Sequence, residues 1–205
     1  MLETVEDTPP DGHTRRRLDT RRRLLKAAGE LFVERGFHAT RPQDIARAAG
    51  VATGTFYLHF ADKEAAFLAF AERVQNQLLA EYHANLTGVV GLSSRLTIIV
   101  RTLAGFAARH PGVLHVAFTD AIAVAPEDPR AWRLYDRLGE FVRIAIGDER
   151  VVADFDVELV GHALCGFIGA ASVYAARKSV PLEILIDNVV TIIGRALGTP
   201  SAALH

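Results

Sequence analysis

Apolar residues recur at intervals of three and four along nearly the whole chain, the spacing of one face of a helix, and no convincing run alternates with period two. Leu24, Ala28, Leu31 and Phe32 set the first stripe, and Gly36 after Arg35 supplies its C-cap. A short second helix is predicted from Thr40, where Thr40 and Gln43 make a capping-box pair and Pro42 falls in the first turn, to Gly50. A third runs from Thr53 to His59 and a fourth from Asp62, a good N-cap, to Ala84. Gly88 and Gly91 mark a break. Beyond it the pattern predicts helices at about 93–109, 112–124, 128–147, 156–177 and 182–197, with Pro111, Pro126, Pro129 and Pro181 at the junctions. The expected fold is all-α with about nine helices: an N-terminal arm (1–17), a three-helix domain (18–64) and a larger helical domain (65–205).

Composition supports a self-sufficient core. With 205 residues and 50% hydrophobic content, the chain can bury enough apolar surface without disulfides or metal. It has one cysteine, Cys165, so no intramolecular disulfide is possible. Met1 to Gly12 is acidic, carries Pro9-Pro10 and lacks an apolar core, so it is expected to be a disordered tail and not a signal peptide; the expected location is the cytoplasm. The formal net charge of −1 hides a division: His13 to Lys63 carries a net +6, and Ala65 onward a net −2. The basic segment is the one suited to a polyanion, although a charge run more often marks only a solvated helix face. Leu159 to Ala176 is uncharged over eighteen residues, the lower limit for a membrane span. His162, Ser172 and Tyr174 interrupt it and eight of its residues are Ala or Gly, so a helix packed closely against others is expected instead.

The segment Arg41 to Phe60 carries the functional reading. Ala46 is small where a second helix must cross closely, and Gly50 can take the positive φ that ends one helix and opens a tight turn. Ile45, Ala49, Val51, Phe56 and Phe60 form an apolar seam, leaving Thr53, Thr55, Tyr57 and His59 outward. A helix entering the DNA major groove needs that surface: hydrogen-bonding side chains for base edges and phosphates, and no carboxylate. The alternative is an ordinary helical hairpin.

From Leu24 to Phe67 the sequence resembles the N-terminal domain of the TetR family of regulators. The likeness lies in Ala27-Ala28, Leu31-Phe32, Glu34-Arg35-Gly36-Phe37, Thr40, Asp44-Ile45-Ala46, Ala49-Gly50-Val51, Gly54-Thr55-Phe56-Tyr57, His59-Phe60 and Asp62-Lys63-Glu64. It implies a DNA-contacting set of Thr40, Arg41, Thr53, Gly54, Thr55, Tyr57, His59 and Lys63. Thr40 is expected to cap its helix while donating to phosphate, and Lys63 to reach phosphate at a helix N-terminus. Arg15 to Arg17 with Arg21 and Arg22 are candidates for a flexible arm on the DNA. Ala52 stands where the family often has Ser, so the recognition helix lacks an N-cap side chain worth about 1 kcal/mol.

The larger domain is expected to bind a ligand and to dimerise. Helix 156–177 carries Gly161, Gly166 and Gly169, which permit close approach, and helix 182–197 is apolar over more than half its circumference. Together with their symmetry mates they are expected to form a four-helix interface of a homodimer, which suits two half-sites of a palindromic DNA operator. Phe106, His110, Phe118, Trp132, Tyr135, Phe141, Phe167 and Tyr174 are candidates for lining a pocket for a small, largely apolar effector, although aromatics at helical spacing are more often plain core. Asp120, an acid in the apolar run Val113 to Ala125, joins them. His110, His115 and His162 make no metal-ligand spacing, and neither a metal nor a cofactor is expected. His162 and Cys165 are the only pair suggestive of catalysis, in a helix assigned to packing, so an enzyme is not expected.

Overall fold

The computed structural model describes residues 11–119, 124–137, 140, 143–144 and 156–196. Nine helices have described bounds: α1 (Gly12–Ala39), α2 (Pro42–Ala48), α3 (Thr53–Tyr57), α4 (Lys63–Leu86), α5 (Leu92–Arg109), α6 (Val113–Thr119), α7 (Pro129–Asp136), α8 (Val157–Lys178) and α9 (Leu182–Ala196). The expected helices at 112–124 and 128–147 are met by α6 and α7, and their remaining parts lie largely outside the described residues.

One expectation about the N-terminus is corrected. Residues 12–17, assigned to a disordered arm, form the first turns of α1. The Asp11 carboxylate accepts from the Thr14 N–H at 2.6 Å, satisfying an otherwise orphaned donor, and Asp19 pairs with Arg22 and Arg23 one turn on. Gly36, at φ 77° and ψ 166°, leaves the helical region and breaks α1 where the C-cap was expected, and a short turn follows it to Ala39.

The compact units divide between Phe70 and Ala71, six residues beyond the expected boundary at Glu64. The reason is aromatic packing. Phe67 and Phe70 of α4 close on Phe32 of α1 at 5.2 and 6.2 Å between ring centroids, and Phe37 completes the cluster 5.4 Å from Phe67. Gly29 permits this, because a Cβ there would lie 2.4 Å from the Phe70 ring. In the second unit, α9 turns Ile186, Val189 and Ile193 inward and packs on α5 and α8, and the Arg101 guanidinium of α5 forms a two-pronged ion pair with Glu183.

α8 departs from the expected burial. Leu159, Val173 and Tyr174 are exposed, as are Ala163, Gly166, Gly169 and Ala170. Leu159, Ala163, Gly166, Ala170 and Val173 follow a spacing of four and three, so one continuous face of small and apolar residues is left exposed among the described residues. α8 is long and apolar enough, by length and composition, to cross a membrane.

Candidate nucleic-acid interface

α2 and α3 are joined by a closed turn. The Gly50 N–H donates to the Arg47 carbonyl and the Val51 N–H to the Ala46 carbonyl, both at 3.0 Å, and Gly50 has φ 67°. Ile45, Ala46 and Phe56 are completely buried, with Ala49 and Phe60 beside them in the seam. Burying Phe56 on one side of α3 turns Gly54, Tyr57 and Leu58 to solvent on the other, at the i, i+3, i+4 spacing of one face. Thr53, Thr55 and His59 flank that face half-buried. No carboxylate lies between Ala49 and Ala61. Ala52 stands at the N-cap with no side-chain bond, as its residue type dictates.

Leu58, 75% exposed, was not singled out from the sequence, although its i+4 relation to Gly54 places it on the exposed face of α3. An apolar side chain there suits the thymine methyl group of a major groove.

Two arginines of α1 fasten this unit to α1. Arg21 donates to the His59 carbonyl at 2.9 Å with its guanidinium 4.5 Å from the centre of the Phe60 ring, and Arg23 donates to the Ala49 carbonyl at 3.2 Å. They fasten α1 to the end of each helix of the pair. Arg41 is exposed at the N-cap of α2.

Thr40 and Lys63 sit differently from the sequence expectation. Thr40 is 1% exposed, and its hydroxyl lies 2.8 Å from the Gly36 carbonyl and 3.2 Å from the Leu31 carbonyl. It closes α1 instead of capping α2, whose N-cap is Arg41, so the capping box is not formed and its hydroxyl is engaged by main-chain carbonyls. The Lys63 ammonium donates to the Phe37 carbonyl at 2.9 Å and stands 4.1 Å above the Phe37 ring. It thus braces α4 on α1. The start of α4 is capped instead by Asp62, which accepts from the Ala65 N–H at 2.6 Å.

The effector candidates of the second unit separate into inward and outward sets. Phe106 is fully buried near the end of α5 with the His110 ring 4.7 Å away, and Phe118 and Phe167 are half-buried. Trp132 and Tyr174 are exposed, Trp132 lying over the turn before α7 with its indole N–H on the Pro126 carbonyl. Asp120, Phe141 and the Tyr135 side chain lie outside the described residues. The sequence reading missed Gln75 of α4. It is 2% exposed, and its Oε1 is buried with no hydrogen-bond partner among the described residues, an arrangement that costs about 1–3 kcal/mol. The signal was present: Gln75 interrupts the stripe Ala71, Val74, Leu78, Tyr82 with a polar residue. Burial pushes the Cys165 thiol up to about 11, so near neutral pH it is not a thiolate nucleophile for the His162–Cys165 pair.

Comparison with known proteins agrees with this geometry. Residues 24–70 match the model of the bacterial regulatory proteins of the tetR family. The HTH-type transcriptional regulator UidR of Escherichia coli is 37% identical over 70 residues, which are 34% of this chain and 36% of UidR, so that likeness is confined to about a third of each. The HTH-type transcriptional regulator YdgC of Bacillus subtilis is 30% identical over 162 residues, 74% of this chain and 78% of YdgC. Among solved structures, the TetR-family repressor FadR of Thermus thermophilus, in complex with lauroyl-CoA, superposes with a TM-score of 0.62 at 25% identity, covering 90% of this chain and 98% of that one. The match extends from the helix-turn-helix through the second helical unit, and this chain belongs to the TetR family of bacterial regulatory proteins.

Proposed function

We propose that the protein is a homodimeric, cytoplasmic repressor that grips a palindromic DNA operator with α3 of each subunit and is released by a small, largely apolar effector. The observation that carries this reading is the outward face of α3: Gly54, Tyr57 and Leu58 with Thr53 and Thr55 beside them, free of carboxylate, on a helix whose other side is locked by Phe56. Thr53, Thr55 and Tyr57 supply donors and acceptors for base edges and phosphates, Gly54 lets the backbone approach, and Arg41 and His59 extend the contact to the phosphate backbone. Lys63 serves by holding α4 in register with α1.

The unpartnered face of α8 supports a second copy as its cover. Close packing of Gly166, Gly169 and Ala170 against their mates, joined by the outward Ile184 and Ile192 of α9, makes a self-complementary contact. Two subunits then present two α3 helices to half-sites about 34 Å apart.

For the effector, the acyl-CoA bound to the Thermus protein makes a fatty acyl thioester the first class to screen. The buried, unpaired Gln75 carbonyl oxygen supports a ligand that brings at least one N–H or O–H donor into an otherwise apolar site. Such a ligand loosens the operator only by binding one dimer conformer more tightly than the other. Cys165 and His162 take no catalytic part in this scheme.

The test is binding to DNA fragments selected by the protein from a genomic pool, followed across salt concentration. A phosphate-gripping dimer loses affinity steeply as salt rises. Tyr57→Ala is expected to weaken binding by about 1–3 kcal/mol, or about 5- to 150-fold, with the dimer intact by light scattering. Gly54→Ala gives a sharper signature, because two effects have opposite signs. A Cβ at Gly54 meets nothing within 4 Å, so alanine should stabilise α3 by up to about 1 kcal/mol. The same methyl stands on the contact face and should weaken DNA binding. A raised melting temperature with unchanged affinity would place the contact face elsewhere.

A further inference from the structure

We propose that Arg17 and Arg21 of α1, with His59 after α3, form a seat for one backbone phosphate of duplex DNA, and that filling the seat puts a proton on His59. The inference rests on the DNA-binding reading above and adds to it a site whose two arginines precede the family-matched segment 24–70.

Arg17 and Arg21 are one helical turn apart, on one face of α1. Arg21 is fixed in place: its Nη1 donates to the His59 carbonyl at 2.9 Å and its guanidinium lies on the Phe60 ring. This contact spans 38 residues of sequence and sets the Arg21 guanidinium at the His59 main chain where α1 passes the end of α3, and the charge of Arg17 also acts on the His59 imidazole. His59 is half-buried, and Arg17 is exposed.

The charges around this seat are one-sided. Partial burial first, then Arg17 and Arg21, hold the His59 imidazole below its ordinary 6.5. The nearest acids along α1 and α4 are engaged elsewhere. Asp19 pairs with Arg22 and Arg23, and Asp62 caps the Ala65 N–H. Lys63 is drawn to the Phe37 carbonyl, and Tyr57 of α3 points to solvent. Folding therefore brings like charges together, and the charges that act on His59 among the described residues are those of Arg17 and Arg21. An anion placed among them reverses the sign of that interaction. A phosphodiester fits the donors, since it offers only acceptor oxygens, while guanidinium and imidazolium offer only N–H groups.

The proton follows by linkage. Burial and the two arginines hold the His59 pKa down in the unbound protein, and a phosphate beside it raises that pKa. Between the lower unbound value and the higher bound value, association takes up a proton, so affinity rises as pH falls through that window. Above the bound value His59 contributes no pH dependence.

The test uses a mixed-sequence 30-base-pair duplex as probe, with binding followed by fluorescence anisotropy from pH 8 to pH 6 and across salt concentration. The wild type should bind more tightly at pH 6, by up to about tenfold per pH unit for each proton taken up. His59→Gln, which cannot take the proton, should lose its share of that gain and keep the salt dependence it has at pH 8. Arg17→Ala should bind about 5-fold or more weakly, with the slope of log affinity against log salt shallower by about one per bound subunit. Because Arg17 is exposed, its circular dichroism and melting curve should match the wild type.

An Arg17→Ala protein with the wild-type slope, or a His59→Gln protein with the full gain on acidification, overturns the seat. Inorganic phosphate producing the same shift of the His59 ring resonances as duplex overturns it in favour of a small-anion site. If Tyr57→Ala weakens binding while the seat variants do not, the seat falls and the DNA-binding reading stands. A folded wild type that binds no duplex at low salt removes both.

Discussion

Phe32→Ala should cost the first unit about 3–5 kcal/mol, the range for emptying a buried aromatic position, and abolish duplex binding near physiological temperature. Phe32 is 1% exposed and touches three rings at once, with centroids at 5.8 Å from Phe37, 5.2 Å from Phe67 and 6.2 Å from Phe70. The void cannot collapse easily, because the rings that would have to move are fixed from other directions. Phe70 is seated over Gly29, and Phe37 lies under the Lys63 ammonium. A domain's whole stability is about 5–15 kcal/mol, so the loss is a large share of the total. The rings join α1 to α4, and α2 and α3 are carried on α1 through Arg21 and Arg23. The recognition surface should therefore go with the core, although Phe32 is far in sequence from α3. Thermal melts of the isolated variant measure the loss directly. A Phe32→Ala protein with wild-type melting and wild-type DNA affinity would mean that this cluster does not hold the unit together.

The legible parts of the fold were those set by backbone and period. Gly50 had to turn at positive φ, Ala46 had to be small at the crossing, and Phe56 had to point inward for Tyr57 to point out; each constraint acts within a few residues. Thr40 was misread because its signature serves two purposes. A hydroxyl three residues before Gln43 can reach forward to cap a helix or back to the carbonyl four residues earlier, and Gly36 received it. Residues 12–17 look disordered by charge and by the neighbouring Pro9-Pro10, yet one carboxylate, Asp11, suffices to start a helix there. Arg21 on Phe60 and Lys63 on Phe37 join residues 39 and 26 apart in sequence, which no local periodicity reveals. The exposed face of α3 was therefore legible in position: Tyr57 and Gly54 face solvent there together with Leu58, which was overlooked, while Thr40 is buried. Effector lining was least legible, because an aromatic at helical spacing looks the same inside a core, beside a ligand or on a surface. Phe106 and Tyr174 proved to be opposite cases.

Gly166→Leu should leave the single chain at least as stable as before and dissociate the proposed dimer. The two halves of that expectation have separate causes. Within one chain a Cβ at Gly166, like one at Gly169, meets nothing within 4 Å, so the added side chain has room, and replacing a helical glycine favours α8 by up to about 1 kcal/mol. Across a two-fold axis the same side chain appears twice in a contact chosen for small residues. Overpacking costs about 1–3 kcal/mol per site, so about 2–6 kcal/mol per dimer, which raises the dissociation constant by roughly 30-fold to more than 10⁴-fold. Val173→Glu, placing a carboxylate on the same exposed stripe, should act in the same direction by burying an unpaired charge. Sedimentation equilibrium reads the dissociation, and a melt extrapolated to low protein concentration reads the single chain. Binding to a two-half-site duplex should fall with the dimer, while the weaker, salt-sensitive grip of one α3 persists, because a monomer retains one head. A Gly166→Leu protein that stays dimeric at the wild-type concentration would assign the uncovered face of α8 to some other partner and leave the two α3 helices without the frame that sets their spacing.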